Sequence, residues 1–506
     1  MSKKISPKDG DRFDWFAILD EEFIDVLSNK VVENITYKDN PRGISKEDKI
    51  VRHEKRTLIA QHLISALYAA YCTATIGKKD AVISVIKDTN FYSATPTKNP
   101  NKIQYSWIYF NAVYESLKEL NWIQEIIGRE GKGYTRIYAI NELKHTFESV
   151  GVRWCKQHAT SIDSLIVLRD KDDQGKKFDL PTPETEQVRA MSEGLYQYNT
   201  FLTQHCVALE VDDEQLYEIA KSVADNKDHS REQRFNRLDL SKIQLKRIFS
   251  RGDMNKGGRF YHGWWQSIPS IYRPHITIDT YKTSEVDFST MSLRIVYALS
   301  KREAPDIAVD LYDIGLTDWQ GSQDPRRKPI KKYINALMND EKGTFRLDKD
   351  SLALIGLSQK QLKDKVLDAH APIADKLVAG IGLNTQYIDS QIAEDVMHTL
   401  MYQGVVVLPI HDSFIIRTGY QLSLENAMQR AFNKLTGANI SVDADEPRLP
   451  THFGFSKEEM LAEEQSLKNN PSSFVTNLAD SKLSELIQDS IMSSYIQGWE
   501  QWRSGS

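Results

Sequence analysis

The period of the apolar positions changes several times along the chain, and each change marks an element. Residues 1–55 are polar and charged, with one amphipathic patch, "FIDVLSNKVV". Beyond Thr57, Leu58, Ile59, Leu63, Ala66, Leu67 and Ala70 recur at helical spacing; after the polar loop "SATPTKNPNK", a second helix sets Phe110, Val113, Leu117 and Leu120 on one face. The next stretch, "NWIQEIIGREGKGYTRIYAI", predicts a strand, a glycine-rich turn with Arg129, Lys132 and Arg136, and a second strand. The charged "RDKDDQGKKFDLPTPETEQ", with a glycine and two prolines, predicts a linker, and residues 185–250 read as helical.

The pattern then tightens. "SEVDFSTMSLRIVYAL" predicts a short strand ending at Asp287 and a helix with Met291, Ile295 and Ala298 on one face. In "VVVLPIHDSFIIR", Val405 to Arg417, two apolar runs flank a His-Asp-Ser break, which predicts a β-hairpin with polar residues at its turn. A last helix-like stretch carries Leu483, Ile487, Ile491 and Tyr495 every four residues, a stripe suited to the chain's own core or to a protein partner. "LEVDDEQ" reads as a helix start, with Asp212 and Asp213 in the first turn.

Composition narrows the class. A chain of 506 residues implies two to four domains, and 40% hydrophobic with 27% charged residues is ordinary for a globular protein. Lys and Arg number 65 against 70 Asp and Glu, a net −5, so any nucleic-acid surface must be local. One local candidate is "LSKIQLKRIFSRGDMNKGGR", where Lys242, Lys246, Arg247, Arg251, Lys256 and Arg259 face Asp253 alone. Cys72, Cys155 and Cys206 lack the paired spacing of a zinc site or disulfide framework, and no segment approaches the ~20 apolar residues of a membrane span. The expectation is a soluble, cytoplasmic protein that makes no membrane contact.

The candidate chemistry lies in two aspartates. An Asp at a strand end usually bonds its own turn, which would explain Asp412 or Asp287 singly. Brought together, the two carboxylates would hold hard cations such as Mg²⁺ through oxygen ligands. Phe260, Tyr261, Trp264 and Trp265, among the basic residues, would either stack single-stranded bases or fill a core; adjacent tryptophans on a strand cannot face the same way, so at least one is expected to be buried.

Several motifs in order resemble the family-A nucleic-acid polymerases, which include DNA polymerase I-like enzymes and are related to phage-type single-subunit RNA polymerases. "GGR…WWQSIP…R" resembles the segment ahead of the palm, with Arg259 and Gln266 at matching polar positions. "DFSTMSLRIVYAL" resembles the first catalytic motif, with Asp287 as a metal ligand. "DIAVDLYDI" and "RRKPIKKYINALMN" resemble the fingers approach and the nucleotide-binding helix, with Arg327 and Lys331 at the four-residue spacing of a triphosphate-binding pair. "PIHDSFII" resembles the last motif, with His411 and Asp412. The match covers roughly Lys246 to Phe455.

The resemblance implies a right-hand core of palm, fingers and thumb-like parts, and the helices followed by a basic-tipped hairpin ahead of it resemble a winged-helix module, so the expectation is an α+β, multidomain chain with a helical, winged-helix-like N-terminal region. The expected divisions are a polar N-terminal segment (1–55), a winged-helix-like module (56–150), a linker and helical thumb-like region (151–245), palm and reduced fingers (246–455) and a C-terminal helical tail (456–506). The N-terminal module would lay a helix on duplex with its wing on phosphates, or serve as a protein-contact domain. The implied activity is template-dependent nucleotidyl transfer, most simply DNA synthesis without proofreading. No Asp-x-Glu strand of exonuclease type occurs in 1–245. Two Mg²⁺, or Mn²⁺ in their place, would bind Asp287 and Asp412, with His411 beside them. Partners would be a DNA primer-template or single strand and a dNTP or NTP, with Lys246, Arg247 and Arg251 on the nucleic acid.

Departures from the pattern leave alternatives. Ser292 stands where family DNA polymerases carry a glutamate that crowds the ribose 2′-hydroxyl, so an RNA-synthesising or primase-like enzyme fits the same scaffold. Asn335 and Asn339 replace aromatic residues on the nucleotide helix. Pro329 predicts that this helix starts at about residue 329, with Arg327 just before it. A catalytically inactive nucleic-acid-binding protein is the reading from another class; a nuclease would use similar carboxylates but would not explain Arg327 and Lys331.

Overall fold

The computed structural model describes residues 11–444 apart from 13–16, 20, 39–44, 78–80, 86, 88–105, 128–134, 153–156, 160–161, 174, 176, 226–237 and 341–343. The hairpin tip with Arg129 and Lys132, Cys155 and the tail 456–506 lie outside the described residues. The N-terminal part contains α1 (Glu22–Lys38), α2 (Lys46–Gly77), β1 (Ile83–Val85), α3 (Trp107–Glu119), β2 (Ile123–Ile126), β3 (Thr135–Ala139) and α4 (Asn141–Val150). Strand β3 pairs antiparallel with β1 on one side and with β2 on the other. The expected face of α3 is the one that packs: Phe110, Val113 and Leu117 are fully buried against Leu63, Leu67 and Tyr68 of α2.

Helix α3 stops for a local reason. Asn121 takes a left-handed backbone (φ 57°), its N–H reaches the Lys118 carbonyl, and the Trp122 N–H reaches that of Leu117. These are the paired bonds of a Schellman cap, with Asn at the position glycine usually takes. The turn feeds Trp122 into the core and starts β2. Arg136, expected at the wing, is instead a buried residue of β3.

The central part holds two sheets. One has the order β8-β7-β4-β5, formed by β4 (Ile166–Lys171), β5 (Lys177–Leu180), β7 (Lys246–Ser250) and β8 (Asp253–Tyr261). The charged stretch expected as a linker therefore contributes an antiparallel hairpin, and β4 lies parallel to β7. Residues 185–250 are helical only in part: α5 (Glu186–Thr203) and α6 (Asp213–Asp225) are separated by strand β6 (Val207–Leu209). Alternation decides the outcome in β7, where Arg247 and Phe249 point inward and their neighbours are half-exposed. The Asp212 carboxylate accepts from the Gln215 N–H at 2.8 Å, the N-terminal signal that its sequence carries.

The second sheet contains β6, β9 (Ile276–Ile278), β10 (Tyr281–Phe288), β11 (Val407–Ile410) and β12 (Ser413–Arg417), in the order β11-β12-β10-β9-β6. Strand β13 (Val442–Ala444) pairs with the far end of β10. Helices α7 (Met291–Leu299), α9 (Gly382–Met401) and α10 (Gln421–Thr436) cover it, while α8 (Arg327–Asn339) stands in a separate apolar cluster. Helix α7 joins the two: Met291 and Ile295 enter the central core, and Leu293, Val296 and Tyr297 enter the cluster around α8. Pro329 occupies the third position of α8, within the first turn, where its missing N–H costs no helical bond. The helix thus begins at Arg327 itself.

Candidate active site

Strand β10 alternates over its last five residues, Ser284 to Phe288. Val286 and Phe288 are buried in the core, and Glu285 and Asp287 face the other way. Its neighbour β12 places Ser413 directly opposite Asp287, and the Phe288 N–H donates to the Asp412 carbonyl at 3.3 Å. Both expected carboxylates are therefore brought together at one end of two adjacent strands. On the other side of β10, Asp443 is the cross-strand partner of Asp287, a neighbour that the sequence reading missed.

The hairpin β11–β12 has a two-residue turn, His411-Asp412, and His411 carries a positive φ of 54°. A left-handed backbone at the first turn residue normally selects glycine, so a histidine there is held by its surroundings. Several contacts do the holding. The Pro409 carbonyl accepts from Trp265 Nε1 at 3.1 Å and from Gln266 Nε2 at 2.9 Å, and the Tyr198 hydroxyl donates to the Val407 carbonyl. Tyr261 meets the His411 ring edge-on, with centroids 5.6 Å apart.

Charge at the site is poorly satisfied. Asp287 Oδ1 is buried and receives no hydrogen bond. Burial, and then the nearby Asp412 carboxylate, push the Asp287 carboxyl up to about 7, with Lys331 opposing. Burial and then Arg259 hold His411 down at about 4, so its ring is neutral at pH 7. Its Nδ1 is likewise buried without a partner.

Across from the hairpin, the first turns of α8 present Arg327 and Lys331. Arg327 Nε bonds Asp310 at 2.8 Å, and its guanidinium lies 4.9 Å from the Tyr312 ring centre, with Lys331 Nζ at 5.9 Å from the same ring. Tyr312 is almost wholly buried; burial, and then Asp412, raise its hydroxyl well above the usual range, with Arg327 opposing. The cations and the carboxylates thus act on a single space. Tyr312 and Asp310 lie within "DIAVDLYDI", where no spacing marks either residue individually.

The remaining expected residues divide. Arg259 of β8 pairs with the buried Asp389 of α9 at 2.5 Å. Burial opposes its charge, but Asp389 and Asp412 more than offset this and raise its pKa. Burial pushes Asp389 up to about 6, with Arg259 opposing and Asp412 adding. Arg247 is fully buried and bonded to Glu394 (2.7 Å), Ser390 (3.1 Å) and the Gly258 carbonyl (2.8 Å). It ties sheet to helix and has no surface for nucleic acid, which corrects the sequence expectation. The Gln266 amide donates to two backbone carbonyls, those of Phe260 and Pro409. Phe260, Trp264 and Trp265 are buried, which leaves Tyr261 half-exposed among the four aromatics.

Arg251 is exposed at the β7–β8 turn, with φ 61°, followed by Gly252 at φ 64°. It lines a cleft of about 960 Å³, together with Lys171, Lys242, Arg273, Asn339 and His411. Lys246, half-exposed at the start of β7, does not line that cleft. Ser292 is half-exposed in the first turn of α7. The Asn339 amide bonds the Asn335 carbonyl at 2.8 Å, and α9 approaches so closely there that Gly382 leaves no room for a Cβ. No group of three or more His, Cys, Asp or Glu in metal-binding arrangement occurs among the described residues. No described helix is long and apolar enough to cross a membrane.

No protein-family model matches the chain, and no curated protein does. Among solved structures it is similar to the POL domain of Pol1 from M. smegmatis, determined in complex with DNA primer-template and dNTP. The identity is 14% and the TM-score 0.27, over 51% of this chain and 51% of that one. The chain thus spans about half the length of that domain.

Proposed function

We infer that the protein is a template-dependent nucleotidyltransferase that extends nucleic acid by two-cation phosphoryl transfer, with DNA synthesis as the leading activity. The observation that carries this is the meeting of Asp287 and Asp412 at one end of adjacent strands, within the electrostatic reach of Lys331. An orphaned carboxylate oxygen, on a group pushed toward neutrality by burial and then by a second carboxylate, fits a divalent cation in that gap. Two carboxylates without a third protein ligand suit Mg²⁺, which keeps waters and takes substrate phosphates as ligands. When bound, such cations supply Lewis-acid activation of a 3′-hydroxyl and neutralise charge on the departing pyrophosphate.

The chain's own residues do the rest. Lys331 and Arg327, one turn apart on α8, neutralise the incoming triphosphate, and Asp310 with the Tyr312 ring fixes the direction of the Arg327 guanidinium. The braced Pro409 carbonyl holds the strained turn that presents Asp412. Neutral His411 adds no positive charge beside the carboxylates, which leaves Lys331 opposing their repulsion and room for the charge that bound cations would supply. Lys171, Lys242 and Arg251 give the cleft its positive wall for a phosphate backbone.

The test is extension of a labelled DNA primer on a DNA template with Mg²⁺, supplied with dNTPs or NTPs, beside Asp412→Ala. Metal-dependent extension that the variant lacks is the expected result. A protein that binds primer-template yet extends it with neither nucleotide set would overturn the reading in favour of a binding protein. Preference for NTPs would move it to RNA synthesis, the reading that the small Ser292 side chain favours.

A further inference from the structure

Glu285 lies two residues before Asp287 on β10, on the same face, and neither composition nor spacing marks it. Its carboxylate is gripped from both sides. The Ser413 hydroxyl donates to Oε1 at 2.5 Å, and Arg273 Nη1 donates to the same oxygen at 2.9 Å and to Oε2 at 3.3 Å. Ser413 follows Asp412 directly, and its hydroxyl also lies 3.2 Å from the carbonyl of Ile410, the residue just before the turn. Arg273 lines the cleft, and its charge is felt by His411.

We propose that Arg273, Glu285 and Ser413 form a strut that sets where Asp412 stands relative to Asp287, with Glu285 as the positioning residue for cation binding by that pair. The argument is geometric. Backbone pairing fixes Ser413 opposite Asp287, but it leaves a two-residue turn with a left-handed histidine to aim Asp412. The Ser413 hydroxyl joins the strand before the turn to the strand that bears Asp287, so the tip is pinned on both flanks. The Glu285 carboxylate is also a second negative charge acting on Asp287, besides Asp412. Side chains that orient metal ligands typically change affinity or activity by about 10–100-fold when removed.

This inference rests on the cation reading of the site, and the experiment separates the two. Mn²⁺ is titrated into the full chain without nucleic acid, with free Mn²⁺ followed by electron paramagnetic resonance, for the wild type, Asp412→Ala, Glu285→Gln, Ser413→Ala and Ser413→Thr. Asp412→Ala is expected to lose the site. Glu285→Gln and Ser413→Ala are expected to bind roughly 10-fold more weakly, and Ser413→Thr, which keeps the hydroxyl, is expected to bind like the wild type. In extension assays the same two weakened variants should need more Mg²⁺ and recover their rate when it is supplied, which loss of folding would not allow.

Wild-type Mn²⁺ affinity in Glu285→Gln or in Ser413→Ala, with Asp412→Ala deficient, would overturn the strut and leave the site reading intact. Equal binding by the wild type and Asp412→Ala would overturn both.

Discussion

Two partly buried carboxylates, Glu125 in the N-terminal sheet and Asp287 in the central one, have opposite surroundings. Glu125 receives Lys118 at 2.8 Å, Lys87 at 3.2 Å and the Tyr114 hydroxyl at 2.6 Å. Burial alone would raise its carboxyl, but those donors outweigh it and hold it at about 2. Asp287 has a buried oxygen with no donor and stands at about 7. A carboxylate surrounded by its own donors fastens a structure together. One with an oxygen that meets no donor, beside a second carboxylate, is the arrangement on which the proposed cation site rests.

The contrast breaks if the two residues respond alike. If the proposed cation site is right, Asp287→Asn should reduce extension by roughly 1000-fold or more, because the substitution would remove a ligand used in the transition state. In the same variant the metal-free protein should gain stability near pH 8. The folded-state pKa of Asp287 lies above its unfolded value of 3.8, so its ionisation between about pH 4 and 7 disfavours the fold. Removing that titration is worth roughly 2 to 4 kcal/mol at most, read by chemical denaturation with chelator present.

Lys331→Ala sharpens the same point from the opposite side. It should lower kcat/KM for the nucleotide by about 10–100-fold, mostly through KM, in steady-state extension. Glu125→Gln should do the reverse of Asp287→Asn: extension unchanged, and stability at pH 7 reduced by about 1 to 2 kcal/mol. Its folded pKa is depressed, so that contribution is present above pH ~4.5 and is lost as pH falls toward 2.

The smallest effect concerns the pH profile of the metal-free protein. His411 is depressed to about 4, so its stabilising share is complete above pH ~6.5 and is lost as acid protonates it down through pH 4. Asp287 and Asp389 lose theirs in the other direction, as pH rises toward 7 and 6. Between about pH 4 and 6 the two aspartates outweigh His411, so melting temperature should fall as pH rises from about 4 to 7, and added Mg²⁺ should flatten that fall. A profile that rises steadily to pH 8 without metal would contradict the paired assignment.

Local pattern by itself determined the elements that carry the candidate site. Alternation and a polar break in "VVVLPIHDSFIIR" are enough for a hairpin with Asp412 at its turn, and a strand ending near Asp287 follows from the same period. The stripe of α3 is equally legible, because one face of one helix is a local property. Tertiary structure alone decided which polar residues meet. Arg247 reads as one cation in a basic run, yet folding buries it against Glu394; Arg259 finds Asp389, and Ser413 finds Glu285. It also turned the charged stretch around Lys171 into the outer hairpin of a sheet, since strands that pair with distant neighbours need no strong pattern of their own. Whether a carboxylate is paired, orphaned or held for a cation depends on the dielectric and the donors that distant segments bring to it, and those exist only once the chain has folded.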